Sequence, residues 1–225
     1  MKTALGGKTM SELGIKPALL LALAAGLLQG GPLVNGSFED PAIGSFQQGL
    51  VGTGWQIING AGVFLETYGA FHLPTAGGAG NQAQGFGANG VTGDRISQAF
   101  DTTPGDVYRL SFQFVTQQGP EFESLIADVL DGSSNVLNTD TETFNSTAWV
   151  TKTFTFTATT ASSTVRFTDN TGNLPGNLGN GTNWALDAVT VSDLSSTATP
   201  EPSSVALFGL GFFGMAARRR RAAKH

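Results

Sequence analysis

The sequence contains no cysteine and only two histidines, His72 and His225. Without cysteine there is no disulfide framework and no thiolate nucleophile, so the fold depends on its hydrophobic core. Two histidines, one of them the last residue, do not assemble a His-based triad or a histidine metal cluster. These absences remove the most common routes to catalysis, and the sequence predicts a protein that is not an enzyme.

Positive charge is scarce in the central part of the chain. Between residues 33 and 199, 15 acidic residues accompany only four basic ones, for a net charge of −11. The basic residues are Arg95, Arg109, Lys152 and Arg166. Such a surface repels phosphate backbones, so no nucleic acid partner is expected, whereas divalent cations are better partners.

An obvious pair of acids for glycoside hydrolysis is also missing. Glu121 and Glu123 are two residues apart, which places them side by side on one face of a strand rather than on opposite sides of a bond. Other carboxylates can pair only through space, so a polysaccharide-acting enzyme stays a minor alternative.

The first 31 residues have the layout of a secretory signal peptide. Lys2, Lys8 and Lys16 precede an apolar run, residues 18–28, that ends in small residues. About 11 apolar residues are too few to span a bilayer, which disfavours a permanent anchor. We therefore expect export, with the mature chain starting between residues 25 and 33.

The chain ends in TPEPSSVALFGLGFFGMAARRRRAAKH, from Thr199 to His225. After a Ser/Thr/Pro linker, residues 195–204, an uncharged apolar run covers residues 205–217 and a basic cluster follows. That cluster is Arg218, Arg219, Arg220 and Arg221. Basic residues beyond an apolar segment stay cytoplasmic, so the body is expected on the other side of the membrane. The run is shorter than the roughly 20 residues of a comfortable span, which leaves a buried core helix as the alternative.

This order of Pro200, Glu201 and Pro202, an apolar helix and an arginine cluster resembles the PEP-CTERM sorting signal of Gram-negative bacteria. The resemblance implies cleavage near the PEP motif by an exosortase, after transient membrane insertion of the precursor. It also implies delivery to the cell surface or to the extracellular matrix.

Residues 32–194 read as one all-β domain. In Val107 to Val115, apolar residues alternate with polar ones, the period of a half-buried strand, and Val150 to Thr157 repeats the pattern. Further strands are predicted at residues 55–58, 63–66, 95–100, 125–130, 164–168 and 184–192. Eight or more short strands predict an antiparallel β-sandwich, with long loops at residues 67–93 and 171–183.

Five segments in order resemble the galactose-binding-like jelly-roll domains of the choice-of-anchor C type, which are related to a plant cell-wall domain of unknown function. They are LVNGSFEDP at 33–41, GW at 54–55, ISQAFDTTPGDVYRLSF at 96–112, WVTKTFTFTAT at 149–159 and NWALDAVTVS at 183–192. The resemblance implies a jelly-roll in which Glu39 and Asp187 hold a structural calcium ion.

Residue spacing gives independent support for an irregularity beside Asp187. Leu186 and Val189 both look like core residues yet stand three apart, which implies a bulge whose carbonyls are available. Calcium takes six to eight oxygens, so we expect Asn35 or Ser37 to contribute carbonyls as well. The alternative is that Glu39 and Asp187 only cap turns.

Sugar recognition requires aromatic platforms and a few polar groups rather than reactive residues. The candidates are Tyr68 and Phe71, which flank Gly69 in a predicted loop, and Trp55 and Trp149. The alternative for each tryptophan is a place in the core or at a sheet edge. The favoured hypothesis is a matrix protein that binds polysaccharide, and the alternative is a structural or adhesive protein with a protein ligand.

Overall fold

The structure is a computed structural model that describes residues 33–70, 73–74, 78–117, 121–175 and 183–195. Several predicted features lie outside these residues: the signal peptide, Phe71, nearly all of the linker, the PEP motif, the apolar run and the arginine cluster. Within the described ranges, no helix is long and apolar enough to cross a membrane.

Eleven strands in the described residues form two antiparallel sheets that pack as a sandwich. They are β1 (Phe46–Gln48), β2 (Gln56–Asn59), β3 (Phe64–Thr67), β4 (Gln82–Phe86), β5 (Arg95–Asp101), β6 (Val107–Thr116), β7 (Glu123–Asp131), β8 (Val136–Phe144), β9 (Val150–Thr157), β10 (Ser162–Asp169) and β11 (Trp184–Asp193). The six-stranded sheet has the order β1-β3-β4-β11-β6-β9, and the five-stranded sheet has the order β2-β5-β10-β7-β8. This architecture confirms the predicted all-β sandwich.

An aromatic chain fills the space between the sheets. Phe86 stacks on Trp184 with ring centroids 4.2 Å apart, and Phe112 meets Phe167 of the opposite sheet at 5.0 Å. Phe144 and Phe114 connect these two pairs, and Trp55 and Phe38 continue the chain beyond Phe167. Aromatic rings bury large areas, which explains how a domain without disulfides secures its core.

All eight predicted strands are present, with ends shifted by one or two residues at most. The predicted loop at residues 67–93 is wrong in part, because β4 lies inside it and pairs with β3 and β11 in the six-stranded sheet. Its sequence, QAQGF, has no apolar alternation, yet all five residues are buried. Gln84 is buried because its side-chain amide donates to the carbonyl oxygen of Phe64 at 2.6 Å. The structure also adds β1 and the largely polar β8.

The predicted irregularity in the last strand is confirmed. The pairing of β11 with β6 shifts register between Asp187 and Thr190, and Ala188 has a φ of 51°. At this bulge the Val189 amide donates to the Gly36 carbonyl at 2.8 Å, so the opening segment of the domain is attached to its last strand. The bulge therefore brings Glu39 and Asp187 to one region.

Candidate functional site

Glu39 and Asp187 hold the same stretch of chain, the residues that lead into β4. Glu39 Oε1 accepts hydrogen bonds from the amides of Asn81 and Gln82 at 2.8 and 2.9 Å. Asp187 Oδ2 accepts one from the Ala79 amide at 2.6 Å. The two predicted calcium ligands are thus close enough for the Glu39 carboxylate to contribute to the raised pKa of Asp187.

The other two predicted calcium ligands have different surroundings. Asn35 closes a turn: its side-chain nitrogen donates to the Asp40 carbonyl at 2.5 Å, and its Oδ1 accepts from the Asp40 amide at 3.2 Å. The main-chain oxygen of Asn35 already accepts from Trp55 Nε1 and from the Phe38 amide. The Ser37 side chain makes no hydrogen bond to another described residue.

A second group of residues lies on the outer face of the six-stranded sheet, away from the aromatic core. Its floor is made of small residues on the middle strands, Ala83, Gly85 and Ala185, with Val115 beside them. A side chain at Gly85 would collide with the Phe64 ring, so glycine is required there. Small residues on β4 and β11 let side chains from both flanks of the sheet meet above them.

An aromatic pair closes over this floor. Tyr68, which follows β3, meets Trp149, which precedes β9, with ring centroids 6.1 Å apart and planes at 80°. The Tyr68 hydroxyl donates a hydrogen bond to Asp187 Oδ2, so the pair is also connected to the Glu39 and Asp187 region. Tyr68 and Trp149, two of the predicted sugar contacts, therefore belong to one site.

Polar side chains lie beside the aromatic pair. Glu66 on β3 is fully buried and accepts a hydrogen bond from the side-chain amide of Gln117, which follows β6. Gln113 on β6 is the register partner of Asp187 and donates to Thr151 Oγ1 at 3.2 Å. We call Glu66, Tyr68, Gln113, Gln117 and Trp149 the outer-face cluster.

Four atoms of this cluster are buried without a hydrogen-bond partner among the described residues: Glu66 Oε2, Gln113 Oε1, Gln117 Oε1 and Trp149 Nε1. An unpaired buried polar group costs about 1–3 kcal/mol, so native proteins keep few of them. Two amide oxygens, one carboxyl oxygen and one indole N–H on one face of one sheet form an arrangement that a polar ligand or ordered water can complete.

Burial sets the protonation of the two carboxyls. It raises the pKa of Glu66 to about 8, which makes Glu66 mostly neutral at pH 7. Burial also raises the pKa of Asp187 to about 6, with a smaller contribution from the Glu39 carboxylate, against hydrogen bonds from Tyr68, Ala79 and Ala188 that lower it. The pKa of Tyr68 lies above its ordinary value, mainly through burial, so its hydroxyl remains a donor.

The prediction that Trp55 is a sugar platform is wrong. Its ring is only 5 % exposed and lies between Phe38 and Phe167, with centroid distances of 5.2 and 6.1 Å. Its indole nitrogen donates to the Asn35 carbonyl at 3.2 Å. Trp55 is a core residue because both its faces and its polar atom are already used inside the protein.

The predicted calcium site offers few carboxylate ligands. Within the described ranges, no three Asp, Glu, His or Cys side chains form a group that could hold a metal ion. Glu39 and Asp187 nevertheless form no ion pair with a described Lys or Arg, since the described ion pairs involve Lys152 and Arg166 only. Two neighbouring carboxylates without a cation are compatible with a calcium ion that is completed by carbonyls and water.

Sequence reasoning missed Glu66, Gln113 and Gln117. Glu66 had a local signal, because it ends the apolar run VFL in a predicted strand. Gln113 lies in β6 and Gln117 directly follows it, on the face of the strand where alternating polar residues predict exposure to solvent. Their burial depends on residues far away in sequence, such as Tyr68 and Ala185, which no local pattern shows.

Several solved structures resemble the fold at low sequence identity. A CBM4 structure has a TM-score of 0.42 at 18 % identity and covers 72 % of this chain and 99 % of its own. The CBM22-1 xylan-binding domain of Paenibacillus barcinonensis Xyn10C has a TM-score of 0.48 at 15 % identity and covers 75 % and 97 %. TmCBM61 in complex with β-1,4-galactotriose has a TM-score of 0.44 at 14 % identity and covers 63 % and 89 %.

A search of curated proteins finds no significant match. Two family models match the sequence. The PEP-CTERM protein-sorting motif matches residues 198–221, which confirms the predicted sorting signal. The second model, described as a protein of unknown function (DUF642), matches residues 31–191 of the 225. The chain therefore belongs to the DUF642 family and carries a PEP-CTERM sorting motif at its C-terminal end.

Proposed function

We propose that this protein is exported, sorted to the cell surface and binds a polysaccharide through the outer-face cluster without turning it over. The observation that carries the proposal is the set of four buried polar atoms, beside the Tyr68 and Trp149 rings, that have no hydrogen-bond partner among the described residues. A pyranose has apolar C–H faces that pack on aromatic rings and hydroxyls that donate and accept, so one ligand matches both parts.

The charge of the site favours a neutral polysaccharide. Glu66 and Asp187 are its ionisable carboxyls, and neither forms an ion pair with a described Lys or Arg. A uronate or sulfate group would approach oxygen acceptors and an acidic domain of net charge −11. Sugar hydroxyls both donate and accept, so they can donate to the Gln113 and Gln117 oxygens, which have no donor among the described residues, and can pair with the neutral Glu66 carboxyl.

A structural calcium ion is part of the proposal. Glu39 and Asp187 would hold it, together with carbonyls of the neighbouring segments and water. Ser37 is a better candidate ligand than Asn35, because both oxygens of Asn35 already accept hydrogen bonds. The ion would neutralise the two carboxylates, which form no ion pair with a described Lys or Arg, and would connect the opening segment to β11.

Sorting follows from the C-terminal motif. The PEP-CTERM match supports export and surface delivery, with an exosortase that cleaves near Pro200, Glu201 and Pro202. We propose that the apolar run is inserted in the membrane only in the precursor. Mass spectrometry of the protein from its own cells tests this step: loss of the chain beyond about residue 200 is expected, and an intact Arg218 to Arg221 cluster would contradict it.

A glycan array of neutral, acidic and amino-sugar polysaccharides tests the binding function. We expect retention on neutral glycans that falls at least tenfold in Tyr68→Ala and in Gln113→Leu. The matched control is Thr141→Val, an exposed threonine on the outer face of the other sheet. Circular dichroism of each variant checks that the fold is kept.

Each other outcome identifies a different function. Retention by matrix proteins but by no glycan favours the adhesive alternative, and release of shortened oligosaccharides shows an enzyme. If all variants bind glycans equally well, the outer-face cluster is not the binding site.

A further inference from the structure

A small cavity lies on the opposite side of the sandwich, on the outer face of the five-stranded sheet. Its volume is about 160 Å³, and it is lined by Ile58, Ser97, Leu130, Ser134, Thr164 and Arg166. Water occupies about 30 Å³ per molecule in the liquid, so the cavity has room for about five waters, the scale of one sugar ring.

Three local irregularities converge on this cavity. Ile58 is the extra residue where the pairing of β2 with β5 shifts register, and its side chain is 53 % exposed. The pairing of β7 with β8 shifts between Val129 and Leu130. Ser134, in the turn between these strands, has a φ of 68°. Bulges and left-handed non-glycine residues re-aim side chains and concentrate at functional sites.

The floor of the cavity is polar and held in place. Arg166 is the register partner of both Ser97 and Asp128. Its guanidinium donates to Asp128 Oδ2 from Nε at 2.9 Å and from Nη2 at 2.6 Å, and the Thr139 hydroxyl donates to Asp128 Oδ1 at 2.7 Å. This network fixes the guanidinium and leaves Nη1 without a partner among the described residues.

The walls combine apolar surface with hydroxyls. Leu130 is 6 % exposed but belongs to neither of the apolar clusters that the described residues form, so its contacts lie outside the core. The hydroxyls of Ser97, Ser134 and Thr164 make no hydrogen bond to another described residue. The cavity therefore presents two aliphatic side chains, three groups that both donate and accept, and one fixed cationic donor.

We propose that this cavity is a second binding site, which takes one neutral sugar unit. The C–H face of the ring packs on Ile58 and Leu130, and its hydroxyls meet Arg166, Ser97 and Thr164. An anionic sugar is disfavoured because Asp128 already compensates the Arg166 charge and the domain is acidic. If the outer-face cluster also binds polysaccharide, as proposed above, the two sites point away from each other and one monomer can bridge two chains.

Amide chemical-shift titration of the ¹⁵N-labelled full chain with methyl glycosides of glucose, galactose, mannose and xylose tests this site. We expect saturable shifts of residues 97, 130, 164 and 166 with at least one of these sugars. Thr164→Val, which removes a hydroxyl at constant shape, and Ile58→Ala, which removes a wall, should each weaken binding at least fivefold. Thr141→Val, on the same sheet face away from the cavity, should leave it unchanged.

The outcomes separate this inference from the proposed function. Tyr68→Ala should leave the cavity shifts intact, because the cavity lies on the other sheet. Shifts confined to the outer-face cluster overturn the second site and leave the first one standing. Cavity shifts that are equal in Thr164→Val, Ile58→Ala and the control also overturn it, as does the absence of shifts with all four sugars.

Discussion

Glu66 lies in surroundings that differ strongly from those of an ordinary, exposed acid. It is fully buried, receives a hydrogen bond from Gln117 and keeps Oε2 unpaired within the described ranges. Its pKa is about 8 in the folded protein and 4.5 as the ordinary value, so between these values the folded chain holds a proton that the unfolded chain has lost. The contribution of Glu66 to the free energy of unfolding is therefore largest below pH 4.5 and is lost as the pH rises toward 8.

Urea unfolding at several pH values tests this assignment. Between pH 6.5 and 8, beyond the pKa of about 6 of Asp187, we expect the stability of the parent protein to fall by up to about 1.4 kcal/mol per pH unit for one proton. Glu66→Gln should flatten this dependence and exceed the parent in stability at pH 8. Glu121→Gln, at an exposed position, is the control and should keep the parent slope. An unchanged slope in Glu66→Gln would place the titrating group elsewhere.

Trp55 has a structural role, in contrast to Tyr68, which we propose contacts the ligand. Because Trp55 is enclosed by Phe38 and Phe167, Trp55→Ala should lower the free energy of unfolding by roughly 3–5 kcal/mol, as for other large core aromatics. Urea denaturation measures this loss, and Val34→Ala, at a position 60 % exposed, should be nearly neutral. A loss below about 1 kcal/mol together with loss of glycan binding would return Trp55 to the binding site.

At the scale of elements, predictability follows how local the signal is. Strands β6 and β9 have a clear alternation of apolar and polar residues, and their predicted bounds agree with the structure to within a residue. Strand β4 was missed because both its faces are buried, one against Phe64 and the other through hydrogen bonds of internal glutamines. Polar and apolar residues therefore do not alternate along its sequence with the period of two that marks a half-buried strand. Strand β8 was missed because its sequence, VLNTDTETF, is mostly polar and partly exposed.

The candidate site divides in the same way. Tyr68, Trp149, Glu39 and Asp187 could be found because each stands beside a local marker: a glycine, a strand start, the opening motif or the bulge. Glu66, Gln113 and Gln117 could not, since their burial arises where β3 and β6 meet above the small residues of β4 and β11. Contacts between strands distant in sequence leave no trace in either strand alone.

The junction of the opening segment with β11 leaves no room at Gly36. A Cβ added there would overlap the Val189 carbonyl oxygen, a backbone atom that cannot rotate away. Gly36→Ala should therefore destabilise the protein by roughly 1–3 kcal/mol, the usual cost of overpacking, and displace Glu39 from Asp187. Gly44→Ala, where the new methyl meets nothing within 4 Å, is the matched control in thermal unfolding. Equal melting temperatures for the two variants would show that the backbone at Gly36 and Val189 can shift to accommodate the methyl group without loss of stability.

At the scale of the whole molecule, both ends of the domain meet at one place. Gly36 and Glu39 from its start and Asp187 and Val189 from its last strand surround the chain that enters β4, and the Tyr68 hydroxyl connects this region to the outer-face cluster. A change in the charge of Asp187 would therefore act directly on the hydroxyl of Tyr68, one member of the aromatic pair. Calcium, if bound by Glu39 and Asp187, would both close the domain and position Tyr68.

Calcium binding should appear as added stability. An ion that binds only the folded chain adds about 2.7 kcal/mol at a concentration 100 times its dissociation constant. We expect the melting temperature to rise with calcium after chelation, to rise less with magnesium, and to be independent of calcium in a Glu39→Gln and Asp187→Asn double variant. Calcium should also lower the pKa of Asp187 from about 6 toward its ordinary value of 3.8, because a nearby cation favours the carboxylate, and so reduce the loss of stability that the raised pKa causes as the pH rises from about 4 to 6. Asp193→Asn, which changes a half-buried acid at the end of the same strand, controls for net charge. Equal melting temperatures with calcium and with chelator, together with no heat in calorimetric titration, would leave Glu39 and Asp187 as turn caps, held by backbone amides of the chain that enters β4, by the Ala188 amide and by the Tyr68 hydroxyl.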